Sequence, residues 1–195
     1  MNKRDTAAGV MYGLAFGDAL GARTEFVPTA WAVADQALGS DPAGLLERLQ
    51  QYARGQRGVY HAAWLGDHWQ RPAVDSPEGF IGRGWDECLD ALERITSGLR
   101  RFAHGMDPCE LTGAGWTAEE ALATALLCFL FSPEDAVSVV RHAATTSGDS
   151  DSIACIAGAL VGAHRGQGGW PMQWAARIEY RDRLERLVTF FGGNA

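Results

Sequence analysis

The stretch Thr146-Ser-Gly-Asp-Ser-Asp-Ser-Ile-Ala-Cys-Ile-Ala-Gly-Ala-Leu-Val-Gly162 decides how this chain is read. It joins a polar cluster, Asp149, Ser150, Asp151 and Ser152, to an apolar run in which Ala154, Gly158 and Gly162 recur every fourth residue. That spacing puts the three small residues on one stripe of a helix. A glycine in a helix interior costs about 1 kcal/mol, so such a row is explained when another backbone or a ligand comes close. The pattern predicts a helix over residues 153–164 with the polar cluster at its amino end.

Working outward, Ser132-Pro-Glu-Asp135 stops one helix, expected over 121–131, and starts another that reaches about Thr145. Thr117-Ala-Glu-Glu120 has the spacing of a capping box, in which the hydroxyl and the carboxylate each satisfy an amide of the first turn. Helical periodicity also covers 85–99 and 42–53, where Asp41 is a cap and Pro42 suits the first turn. Between them, residues 55–79 are broken by Pro72, Pro77 and several glycines, with room for one short helix around 61–69. A further helix begins at Pro28, and the first runs over 6–21 with its own row, Gly9, Gly13, Gly17 and Gly21. No alternating strand pattern stands out, and Ala and Leu far outnumber β-branched clusters. The expected fold is all-α, a helical bundle forming a single domain over 1–195 with no internal repeat or linker.

A chain of 195 residues can bury a sizeable core without a metal or disulfide to staple it. With 47% hydrophobic and 21% charged residues it belongs with globular proteins. A net charge of −7, with no run of Lys and Arg, argues against nucleic acid as the main partner. Cys88, Cys109, Cys128 and Cys155 form no CxxC pair and no dense framework, so free thiols in a cytoplasmic protein are the plain expectation. Asp18 interrupts the apolar stretch of residues 9–16, and no membrane-length run follows.

The chemistry concentrates at helix ends. One N-cap needs one side-chain acceptor, and the helix dipole rewards a carboxylate there by only about 0.3–1 kcal/mol. Two Asp and two Ser at 149–152 therefore exceed what capping requires. Oxygen ligands of this type suit Mg²⁺, Mn²⁺ or Ca²⁺. An EF-hand fails, because Ala154 stands where its Gly belongs and Leu160 where its bidentate Glu belongs. If the two glycine-ridged helices pack antiparallel, Asp18 and Glu25 from the first gather with Asp149 and Asp151 from the second in one cleft. His61, His68, His104, His142 and His164 have no i,i+4 partner and read as surface or satisfied core residues, while Cys155 reads as packing.

Two motifs in order, Gly13-Leu-Ala-Phe-Gly-Asp-Ala-Leu-Gly21 followed by Glu25, and Thr146-Ser-Gly-Asp-Ser-Asp-Ser-Ile-Ala154 followed by Ala157-Gly-Ala-Leu-Val-Gly162, resemble the ADP-ribosylglycohydrolases. Gly113-Ala-Gly-Trp-Thr-Ala-Glu-Glu-Ala-Leu122 and Arg177-Ile-Glu-Tyr-Arg-Asp-Arg-Leu184 extend the likeness. The resemblance implies an all-α hydrolase that splits the bond between ADP-ribose and a protein side chain, with two Mg²⁺ ions held by a Thr-Asp-Asp-Thr motif and a Gly-Asp-Thr-Asp-Thr motif. Carried over, it makes Asp149, Asp151 and Ser152 metal ligands, Glu25 the acid or base at the scissile bond, and Asp18 and Gly148 substrate-binding residues.

No stretch between Phe26 and Gly113 reads Thr-Asp-Asp-Thr. Glu25-Phe-Val-Pro-Thr-Ala30 looks like a join across the segment that carries the first motif in the family. Three readings stand: a Mg²⁺- or Mn²⁺-dependent hydrolase of impaired turnover, an inactive remnant that binds ADP-ribose or a protein partner, and a helical protein whose motif residues merely cap helices. Carboxylates of the irregular segment, Asp67 or Asp75, are the available replacements for the missing ligands.

Overall fold

The computed structural model describes residues 41–59, 62–67, 69–70 and 74–192. The expected helices over 6–21 and from Pro28, with the first glycine row, lie outside them. All regular elements among the described residues are helical: α1 (Pro42–Gln56), α2 (Ala62–Leu65), α3 (Pro77–Leu99), α4 (Cys109–Thr112), α5 (Ala118–Phe131), α6 (Ala136–Ala144), α7 (Ser150–Arg165), a 3₁₀ turn (Gln167–Gly169), α8 (Met172–Arg177) and α9 (Arg181–Gly192). The all-α expectation holds. None of the described helices is long and apolar enough to cross a membrane.

The centre of the molecule is α7. Every residue from Ser152 to Ala163 is buried, the pattern of a helix that is apolar all round and enclosed on every side. The described elements against it are chiefly α6 and α5, with the 3₁₀ turn at its end, and α5 in turn packs on α3, which also carries α1. Ala123, Leu126, Leu127 and Phe129 of α5 join Val139 and Val140 of α6 and Ile153, Ala157, Leu160 and Val161 of α7 in one core. Buried Gly158 and Gly162 lie on α7 where the sequence predicts a close-packed ridge.

Helix starts follow local chemistry. Asp41 accepts the Ala43 N–H at 3.3 Å and Asp135 accepts the Ser138 N–H at 3.0 Å, both as the sequence implies. Two boundaries differ. Helix α3 begins at Pro77, eight residues before the expected start, because Ser76 caps it by accepting the Gly79 N–H at 3.0 Å and Pro77 fills the first turn. Pro77, which reads as a breaker, is thus a first-turn residue, and Gly82 and Gly84 meet no described residue where a side chain would be and cost the helix only their propensity. Helix α7 begins at Ser150, so the polar cluster forms its first turn instead of preceding it.

The capping box at Thr117 is only half made. Thr117 occupies the N-cap position of α5 without a side-chain cap. Glu120 does reach back, but its Oε2 accepts the Gly115 N–H at 3.2 Å, two residues further than the box requires. Its role is to brace the loop before α5, and that loop lies beside the candidate site.

Candidate functional site

Two loops meet at the amino end of α7. One is Gly113-Ala114-Gly115, with Gly113 at φ 115° and Gly115 at φ 79°, a left-handed backbone that favours glycine. The other is Thr146-Ser147-Gly148, leading into Asp149. They cross closely: Asp149 N–H donates to the Ala114 carbonyl at 2.8 Å, and a Cβ on Gly148 would come within 1.9 Å of that same oxygen. Gly148 thus has a packing reason to be glycine, whatever else it contacts. Beneath the first loop lies a polar chain with no exposure at Thr112 and Thr124, whose hydroxyl oxygens are 2.8 Å apart; Thr124 Oγ1 also donates to the Gly113 carbonyl at 2.9 Å. A fully satisfied buried network of this kind rigidifies what it supports.

On that frame stand Asp149 and Asp151. Asp149 is the N-cap residue of α7, yet its carboxylate caps nothing. Instead the two carboxyl groups lie within hydrogen-bonding reach, and partial burial, together with that hydrogen bond and the charge of Asp149, pushes the Asp151 carboxyl above its usual range. A raised carboxyl in such a pair means that the folded protein disfavours charging both groups at once. Ser152, the third expected ligand, is 4% exposed and borders a small hollow with Gly115, Trp116, Ala121 and Ile156. Gly148, Asp149, Asp151 and Ser152 thus follow one another into the first turn of α7; the two carboxyls are paired there, while Ser152 borders the hollow. Asp18 and Glu25 lie outside the described residues.

Two carboxylates and a hydroxyl are oxygen ligands of the right kind, whereas Mg²⁺ asks for six oxygens. Among the described residues no group of three or more His, Cys, Asp or Glu could hold a metal. The suggested replacements do not assemble: Asp67 accepts the Gln70 side-chain amide at 3.3 Å on the surface, and Asp75 is exposed.

Two features escaped the sequence reading. Asp107 reaches across forty residues of sequence to the motif loop, its Oδ2 accepting the Ser147 N–H at 3.2 Å and its Oδ1 the Cys109 N–H at 3.0 Å. Burial opposes its ionisation, but the hydrogen bonds from Ser147 and Cys109 prevail and hold the carboxyl below its usual range. His104 and His142, read as scattered, face each other with Nδ1 and Nε2 3.4 Å apart among Phe102 and Phe131. Neither contact leaves a local sequence signal, since the partners are far apart along the chain.

Residues 27–193 match the family model described as ADP-ribosylglycohydrolase. The chain belongs to the ADP-ribosylglycohydrolase family. The matched stretch contains the Gly148–Ser152 motif and its supporting loop, while Asp18 and Glu25 precede it. The chain is also similar to the ADP-ribosylhydrolase ARH3 of Danio rerio, 32% identical over 86 residues, which is 39% of this chain and 23% of that protein. No solved structure matches.

Proposed function

We propose that this family member is a hydrolase of the glycosidic bond between ADP-ribose and a protein side chain, dependent on Mg²⁺ or Mn²⁺ and slow. The observation that carries the reading is the Asp149–Asp151 pair, two carboxylates held together at a helix end with Asp149 not spent on capping. In this reading Asp149, Asp151 and Ser152 hold the cation, Glu25 serves as acid or base at the anomeric carbon, and Asp18 and Gly148 border the substrate. The bound cation would supply positive charge to the ribose oxygens. Four free thiols fit a cytoplasmic setting.

Slow turnover follows from the ligand count. Glu25 as a lone acid or base supplies about 10²–10⁴-fold, well short of what enzymes reach with charge stabilisation added. The missing Thr-Asp-Asp-Thr motif also favours a second reading, a binding protein for ADP-ribose without turnover.

Release of ADP-ribose from a modified protein, followed with and without Mg²⁺ beside Glu25→Gln and Asp149→Asn, tests both. Weak, Mg²⁺-dependent release lost in both variants is expected. Fast release abolished by both would refute the impairment. Thermal stabilisation by ADP-ribose with no release would replace hydrolysis by binding.

A further inference from the structure

The motif loop is gripped from two sides. On one, Ala114 receives the Asp149 N–H. On the other, the turn Asp107-Pro108-Cys109 holds the residues just before it: the Asp107 carboxylate takes the Ser147 N–H, and the Cys109 thiol lies against Thr146 and Gly148. Asp107 is itself fixed, because its second oxygen takes the Cys109 N–H at the start of α4. Both of its oxygens accept backbone amides and the Ser147 side chain hydrogen-bonds to it as well, so it supplies the loop with position. Charge-assisted hydrogen bonds to a carboxylate are the stronger kind, and a backbone amide so held has little freedom to turn.

We propose that Asp107 is a positioning residue for the cation site: by fixing the Ser147 amide it sets the backbone that aims Asp149, and through it the Asp149–Asp151 pair, at one ion. The proposal rests on the reading of Asp149 and Asp151 as cation ligands. Partners that orient metal ligands from behind lose about 10–100-fold in affinity when removed, without touching the ion. Asp107→Ala removes both acceptors. Asp107→Asn keeps the shape and one acceptor oxygen but turns an NH₂ group toward the other amide.

The test is titration calorimetry with Mn²⁺ on the full chain, comparing wild type, Asp107→Ala, Asp107→Asn and Asp151→Asn, with thermal melting of each and titrations run well below the lowest melting temperature. Binding weakened about tenfold or more in Asp107→Ala, by less in Asp107→Asn, and abolished in Asp151→Asn supports the proposal. Wild-type affinity in a folded Asp107→Ala, with Asp151→Asn still abolishing binding, overturns it and leaves the ligand reading intact. Should Asp107→Ala not fold, the nearly isosteric Asn variant decides: unchanged affinity overturns the proposal. No Mn²⁺ isotherm in wild type, or one that Asp151→Asn leaves untouched, overturns the ligand reading and the proposal together.

Discussion

Helices α6 and α7 both open on an aspartate, and only one of the two is used as a cap. Asp135 accepts the Ser138 N–H and closes the first turn of α6. Asp149 occupies the same position on α7 and makes no such bond, although the first-turn amides of a helix are ready donors for it. Its carboxylate lies toward Asp151, a like charge, while its backbone is tied to Ala114. The difference separates a residue that works for the fold from one that works against it locally. An arrangement that raises the affinity of Asp151 for a proton is kept at a cost, and sites that bind ligands are where such costs gather.

The comparison breaks most severely at Gly148. A Cβ there would collide with the Ala114 carbonyl, so Gly148→Ala must push the two loops apart. A loss of about 1–3 kcal/mol, the usual range for overpacking, is expected in denaturant unfolding. A variant as stable as wild type would show that the loops are not interlocked.

The two caps themselves give opposite signs. Asp135→Ala should cost about 1 kcal/mol, the ordinary worth of a cap. Asp151→Asn in metal-free buffer should instead stabilise the protein at neutral pH. The Asp151 carboxyl is raised in the folded state, so stability is lost as pH rises through that raised value and is recovered as pH falls toward the unfolded value. Urea unfolding of both variants at pH 7 checks the pair, and destabilisation by Asp151→Asn would cancel the contrast.

The smallest effect belongs to the histidine pair at the other end of α6. Burial, the charge of His104 and that of Arg141 lower His142, with Asp135 opposing. A histidine lowered on folding takes up protons more readily when unfolded, so stability falls as pH drops through the unfolded histidine value, near 6.5, toward the lowered one. His104→Gln should flatten the loss in melting temperature between pH 7 and pH 5.5. An unchanged slope would remove the pair from the account.

What the sequence made legible was whatever chemistry is local. Asp41-Pro42 and Ser132-Pro-Glu-Asp135 announce their structure within a few residues and start helices as expected, and the small-residue row of α7 lies on a buried helix. The early start of α3 was also written locally, in Ser76-Pro77, but Pro77 reads equally as a breaker and its cap becomes plain only with the helix in place. Of the site, the cluster at Asp149–Ser152 was visible because it exceeds what a cap needs. Asp107 and the crossing of Ala114 over Gly148 were not, since their partners lie 40 and 34 residues away and only folding makes them neighbours.

The buried threonine pair has a consequence in the counting of protons. Thr112 and Thr124 have two hydroxyl protons between them and three short oxygen contacts: with Pro108 O, with each other, and with Gly113 O. Thr112 Oγ1 donates to Pro108 O and Thr124 Oγ1 to Gly113 O, so the contact between the two hydroxyls has to share one of those protons, whichever residue gives it. Replacing either threonine by Val removes the contact they share, so the second replacement has less left to remove. The double replacement should cost less than the two single losses added together, the mark of residues acting in one network.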